Sequence, residues 1–174
     1  YRKKLWSREQ AEKTMSLVVQ HVDVAIANEE DAEMVFGIKA SGADVHSGKL
    51  EAPRYQSVGE QLMKRFPGLK SVAITLRESI SASENNWSGV FWDGKKFLQS
   101  NKYSLRIVDR VGGGDAFAAG LIYGMLTGKP AQDSLEFATA ASCLKHSIPG
   151  DFNHVSISEV ENLMKEGGSG RVQR

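Results

Sequence analysis

Ile107-Val108-Asp109-Arg110-Val111-Gly112-Gly113-Gly114-Asp115-Ala116-Phe117-Ala118-Ala119-Gly120 is the stretch around which the rest of the chain is read. Two apolar residues lead in as a strand end would, three glycines follow, and one carboxylate opens a helical pattern. Without a Cβ, glycine lets φ turn positive and lets a ligand approach the backbone. Amides at the start of a helix converge on one point and favour negative charge there. Asp115 stands at the edge of that point. An acid beside an anion site suits phosphoryl transfer: the loop holds the transferring group and the carboxylate takes a proton from the attacking hydroxyl. Standing alone, Gly-Gly-Gly-Asp also reads as a helix N-terminus with Asp115 as a structural cap. Two other phosphate loops are excluded by spacing. The dinucleotide pattern would need glycine at Phe117, and no Gly-x-x-x-x-Gly-Lys-Ser/Thr occurs.

Composition narrows the class. The chain has 174 residues and a net charge of +1 with both signs mixed, which argues against a dedicated nucleic-acid binder. No apolar run approaches the roughly 20 residues that span a bilayer. The lone Cys143 excludes an internal disulfide and fits a reducing, cytoplasmic setting, with the thiol a small core residue. The opening Tyr1-Arg2-Lys3-Lys4-Leu5-Trp6 reads like the interior of a longer protein, so an absent earlier half is expected.

Outward from the centre, strands alternate with helices. Ser7-x-x-Gln10 is a capping box for a helix from about Arg8 to Gln20. A short buried strand is expected over 22–27, then a helix with Asn28 as N-cap that stops at Phe36-Gly37. Residues 38–56 read as a loop. A helix over 58–66 precedes a strand over 71–76, with Arg77 just beyond it, where open α/β sheets place ligands. Trp87 to Trp92 and Lys95 to Leu98 form a hairpin about Asp93-Gly94. A further strand runs from about Tyr103 into the glycines. Helices follow over 116–127 and 133–145, then a turn-rich Lys145-His146-Ser147-Ile148-Pro149-Gly150-Asp151. In that run His146 has no evident partner and reads as structural. A last helix is capped by Ser156 and ends near Glu166. The fold class is α/β, with a mainly parallel sheet, helices on both faces and a small hairpin. Residues 1–166 form one domain portion and 167–174 a flexible tail.

The central stretch resembles the second signature of the ribokinase-like carbohydrate kinases, Asp-Thr-x-Gly-Ala-Gly-Asp. Asp109, Gly112, Gly114, Asp115 and Gly120 fall in register, while Arg110 replaces threonine and Gly113 replaces alanine. The Asp-Arg-Val-Gly-Gly-Gly-Asp variant is similar to the branch that phosphorylates 2-keto-3-deoxygluconate. The resemblance implies ATP as donor, Asp115 as general base and Gly112, Gly113 and Gly114 as anion hole. It implies that Arg2, ahead of Leu5-Trp6, binds the sugar-acid carboxylate. It implies nucleotide contacts from Asn28, Arg77, Ser88 and Gly89, as well as Gly112 and Gly114. Magnesium is implied near Asn28 and Asp31, the latter standing where the family has glutamate, and a monovalent cation near the 145–151 turn. The portion present would be the C-terminal, nucleotide-binding part. The lid and the contact for a homo-oligomer would lie in the other half, so these residues alone are expected to be weak or silent. A kinase for a neutral sugar such as fructose or ribose, and an inactive nucleotide-binding module, are the alternatives. Arg2 argues against the first and Asp115 against the second.

Overall fold

The computed structural model describes residues 4–28, 30–40, 52–165 and 167. Arg2, most of the expected 38–56 loop and most of the expected tail lie outside the described residues.

The chain runs α1 (Arg8–Val19), β1 (Val24–Asn28), α2 (Asp31–Phe36), α3 (Arg54–Arg65), β2 (Ser71–Ser79) and β3 (Glu84–Trp92). It continues β4 (Phe97–Gln99), β5 (Tyr103–Arg106), α4 (Gly113–Leu126), α5 (Ala131–Lys145) and α6 (Ile157–Lys165). The strand order is β1-β2-β3-β4, with β5 paired antiparallel to β3 so that Trp87 faces Tyr103. Lys70 and Ser71 both donate to Asp23 O, at 2.7 and 3.2 Å. β1 and β2 therefore start side by side and run the same way, joined by a helical crossover. The sheet is mixed, flanked by helices, and of the expected α/β class.

Two compact units are formed, Tyr1–Ile74 with Val90–Phe97, and Thr75–Gly89 with Leu98–Arg174. In the first, α1 begins with the expected capping box. Ser7 Oγ accepts from Gln10 N at 3.3 Å and Gln10 Oε1 accepts from Ser7 N at 3.1 Å. α2 stops at Gly37, whose φ of 71° suits a residue without a Cβ. α3 starts at Arg54, earlier than its apolar pattern suggests, and buries Tyr55, Val58 and Leu62. The Arg65 guanidinium lies over Phe36 and Phe66, 5.1 and 5.4 Å from the ring centroids, and pairs with Glu12 at 2.6 Å. β1 is shifted two residues along from the expected strand and is half-buried, with Ile26 38% exposed. It ends the strand order, so one edge has no neighbour among the described strands.

In the second unit, small residues allow helix α4 to approach α5 closely. A Cβ on Gly120 would lie 2.8 Å from Ala138 Cα, and one on Gly124 would lie 2.6 Å from Ser134 Cβ. α6 closes a core of Tyr103, Phe137, Ala140, Ala141, Val160 and Leu163. Two expectations fail locally. β5 ends at Arg106, so Ile107-Val108 is not strand. Val108 is exposed, and its N–H goes to His146 O rather than to a neighbouring strand. Helix α4 begins at Gly113, inside the glycines, because that residue already has helical backbone once Gly112 has made the turn. Among the described residues no helix is long and apolar enough to cross a membrane.

Candidate active site

Gly112 is the N-cap of α4, with φ at 80°. A Cβ there would be strained, would overlap the Asp151 carbonyl oxygen and would lie 3.1 Å from Lys145 Cε. A Cβ on Gly113 would lie 2.5 Å from the His146 ring. Gly114 differs: nothing lies within 4 Å of the place its Cβ would take. The first two glycines are therefore required by the protein itself, and the third leaves open space.

The Gly113 N–H donates to Arg110 O at 3.3 Å, and the Ala116 N–H to Gly112 O at 2.9 Å. Among the described residues the N–H groups of Gly114 and Asp115 have no protein acceptor. They are the orphan donors of a helix start, where the dipole favours an anion. Asp115 is exposed on this first turn. No side chain caps α4, and among the described residues nothing hydrogen-bonds the Asp115 carboxylate. The capping role that the sequence left open is not the one adopted.

The loop is braced from below. Asp109 takes the Val111 N–H on Oδ1 at 3.0 Å and the Gly150 N–H on Oδ2 at 2.8 Å. These two donors, helped by the Lys145 charge, hold its carboxyl below the usual carboxylate range. His146 O accepts from Val108 N and Asp109 N, and Ser142 Oγ donates to Gly113 O at 2.7 Å. The His146 ring is buried, lies 4.7 Å from the Trp87 ring and has Nδ1 2.7 Å from Ser142 O. A carbonyl only accepts, so Nδ1 carries the proton and Nε2 is bare in the neutral ring. Burial pushes the imidazole pKa down, and the charges of Lys145, Arg110 and Arg77 push the same way against the Ser142 carbonyl. His146 is structural, as its lack of a partner in sequence suggests. Ser142, Lys145 and the bracing role of Asp109 escape a sequence reading. The spacing of Asp109 to Val111 is the one available signal, an Asx turn in which a carboxylate accepts the N–H two residues on.

The other candidates are spread over the two units. Arg77 is exposed in the second unit, but it lies inside β2, which runs on to Ser79, rather than beyond the strand end. Ser88 and Gly89 are buried within β3. The Gly89 N–H donates to Ser100 Oγ at 2.9 Å, and a Cβ there would meet Phe117 and Thr139 at 3.0 and 3.1 Å. Packing therefore accounts for this glycine. In the first unit Asn28 Oδ1 accepts from Glu30 N and Asp31 N at 2.8 and 2.9 Å, and Asp31 Oδ2 accepts from Asn28 N at 2.9 Å. These hydrogen bonds hold the start of α2. Among the described residues no three His, Cys, Asp or Glu are grouped to hold an ion. Magnesium bound chiefly by phosphates needs no such group, since one or two carboxylates suffice. An apolar cavity of about 340 Å³ in the first unit, walled by Trp6, Met15, Val18 and Leu62, lacks the polarity of a phosphate site.

A glycine turn and an exposed acid, set at a helix start in an α/β fold, define a domain suited to phosphoryl transfer. The chain belongs to the pfkB family of carbohydrate kinases, whose profile matches residues 1–154. It is 25% identical over 98% of its length to a 2-dehydro-3-deoxygalactonokinase of Haloferax volcanii, of which it covers 46%. It is 24% identical over 92% of its length to a 5-dehydro-2-deoxygluconokinase of Clostridium beijerinckii, covering 51% of that protein. Among solved structures, 2-dehydro-3-deoxygluconokinase from Thermotoga maritima superposes on 95% of the chain with a TM-score of 0.87 and 48% identity. The chain covers 48% of that structure. Ribokinase II from E. coli, solved with ATP and Mg²⁺, shares the fold at a TM-score of 0.69 and 15% identity, over 95% of this chain and 46% of that one. The chain thus spans about half the length of the relatives it matches.

Proposed function

We propose that this chain is the nucleotide-binding part of an ATP-dependent kinase for a keto-deoxy sugar acid, with 2-keto-3-deoxygluconate as substrate and its 6-phosphate as product. The observation that carries the reading is Asp115: an exposed carboxylate with no structural partner among the described residues, on the helix turn where the Gly114 and Asp115 amides have no protein acceptor. Asp115 accepts the proton of the substrate's terminal hydroxyl. That oxygen forms a bond to the γ-phosphorus of ATP as the bond to the departing ADP breaks. At the anion hole formed by Gly112, Gly113 and Gly114, the unused amides of Gly114 and Asp115 hold the charge on the transferring group, the largest task in this chemistry. Magnesium, when bound with ATP, neutralises phosphate charge; Asn28 and Asp31 would organise it through water, and Arg77 would face the phosphates.

The relatives support the substrate class, because the three dehydro-deoxy sugar acids in their names each carry a carboxylate. Arg2 supplies a guanidinium fork for such a group. The chain spans about half the length of its relatives; the other half would carry the lid and the oligomer contact, and these 174 residues alone are expected to turn over weakly or not at all. The setting is cytoplasmic, where ATP is abundant and Cys143 stays reduced.

The test is ATP- and magnesium-dependent phosphorylation by the gene product that carries this chain, with 2-keto-3-deoxygluconate, fructose and ribose compared. The acid is expected to be strongly preferred, and Arg2→Met to raise its KM far more than it lowers kcat. Equal or better turnover of a neutral sugar contradicts the substrate reading while leaving Asp115 in place.

A further inference from the structure

Helices α4 and α5 meet along one row of α5. Ser134, Ala138, Ser142 and His146 recur at every fourth position, the spacing of a single helix face. Ser134 lies against Gly124 and Ala138 against Gly120. The last two residues of the row both meet Gly113. The His146 ring fills the place of its Cβ, and the Ser142 hydroxyl donates to its carbonyl oxygen at 2.7 Å. Ser142 has none of its surface exposed. Gly113 is buried with it, whereas Gly114, the next residue, is exposed.

A trans peptide is planar, with its C=O and its N–H on opposite sides. The bond that draws Gly113 O toward α5 therefore turns the Gly114 N–H away from α5. That N–H has no protein acceptor among the described residues. A donor on the carbonyl also pulls charge through the peptide, which makes its N–H a stronger donor in turn.

We propose that Ser142 is a positioning residue of the anion hole. Its buried hydroxyl fixes the Gly113–Gly114 peptide and both aims and strengthens the Gly114 N–H toward the charge on the transferring phosphoryl group. Ser142 is sealed from any ligand and acts through that peptide alone. The consequence for rate rests on the function proposed above, while the state of the Gly114 amide does not.

The experiment uses the gene product that carries this chain, unsubstituted and as Ser142→Ala, Ser142→Cys and Ser134→Ala. Ser134 is buried in the same row, but its hydroxyl faces the Lys129 and Pro130 carbonyls ahead of α5. For each protein, kcat, the KM for ATP, the melting temperature and the NMR shift of the Gly114 amide proton are measured. Ser142→Ala should lower kcat by roughly 10-fold, short of the loss when an anion-hole donor is removed altogether, and move the KM for ATP much less. Its Gly114 amide proton should move upfield as the peptide loses polarisation. Ser142→Cys keeps the side chain in place with a weak donor, so its rate and its amide should follow Ser142→Ala. Ser134→Ala should keep both, whatever its melting temperature. A Gly114 amide that stays in place in Ser142→Ala overturns the proposal, as does a full rate in Ser142→Cys, which would mean that filled space is what the loop needs. An equal loss of rate in Ser134→Ala overturns it too, by assigning the effect to helix packing. Should the unsubstituted protein phosphorylate no sugar while the Gly114 amide still answers to Ser142→Ala, the kinase reading fails and the hold of Ser142 on this peptide stands.

Discussion

The imidazole of His146 occupies the space that a side chain on Gly113 would need, with Cε1 2.5 Å from the position of that Cβ. The residue that caps the end of α5 therefore packs against the loop that begins α4. The contact also separates the three glycines by what each is for.

Gly112→Ala and Gly113→Ala are expected to destabilise the fold. The first forces a positive φ on alanine at about 1–2 kcal/mol and meets the Asp151 backbone. The second must displace a packed ring, which costs roughly 1–3 kcal/mol. Gly114→Ala is expected to melt like the unsubstituted chain, since its Cβ enters open space. In the proposed function that space takes the anion, so ATP affinity should fall roughly 10- to 100-fold, as when one or two charge-assisted hydrogen bonds are lost. Chemical denaturation and calorimetric ATP titration of the three variants check this. A Gly114→Ala protein with normal ATP affinity would remove the anion from the loop.

Stability should depend on pH through His146. Its pKa is lowered in the folded state, mainly by burial, so the unfolded chain binds the extra proton more readily. The stabilising contribution is fully present above the unfolded value of about 6.5 and is lost as pH falls below it. The slope is at most about 1.4 kcal/mol per pH unit from this one group. Denaturation from pH 7.5 to 5.5 should reveal it, and His146→Gln should flatten it. An unchanged slope in His146→Gln assigns the pH dependence to other groups.

Cys143 should be inert in the folded protein. Burial pushes its thiol pKa up to about 12, and the thiolate is the reactive form. A disulfide reagent at pH 8 is expected to label it in denaturant and not in buffer. Rapid stoichiometric labelling of the native chain would contradict this.

The two ends of the site differed in how far they could be read from sequence. The helix start at the glycines is legible because three glycines ahead of a small-residue helical pattern mark a turn into a helix, and the capping boxes at Ser7 and Ser156 follow from local hydrogen bonding alone; the catalytic reading of Asp115 rests on the resemblance. Lys145 and Ser142 were not legible. Their partners, Gly150 and Gly113, are set by the packing of α5 beneath the loop, which local spacing does not encode. Gly89 is assigned to the nucleotide only by the resemblance; its close packing against Phe117 and Thr139, which local spacing does not encode, is visible only in the structure. The apolar run ends at Leu76, which puts Arg77 beyond the strand in sequence, while the backbone pairing of β2 continues to Ser79.

The most direct test of the central claim is the phosphoryl-transfer rate of the gene product with Asp115 intact and as Asp115→Asn. Folding and ATP affinity are measured on the same samples. The account predicts unchanged folding, near-normal ATP binding and a kcat on 2-keto-3-deoxygluconate lower by about 10²–10⁴-fold, the usual worth of a general base. A folded, ATP-binding Asp115→Asn protein that keeps its full rate would show that this carboxylate does not take the proton.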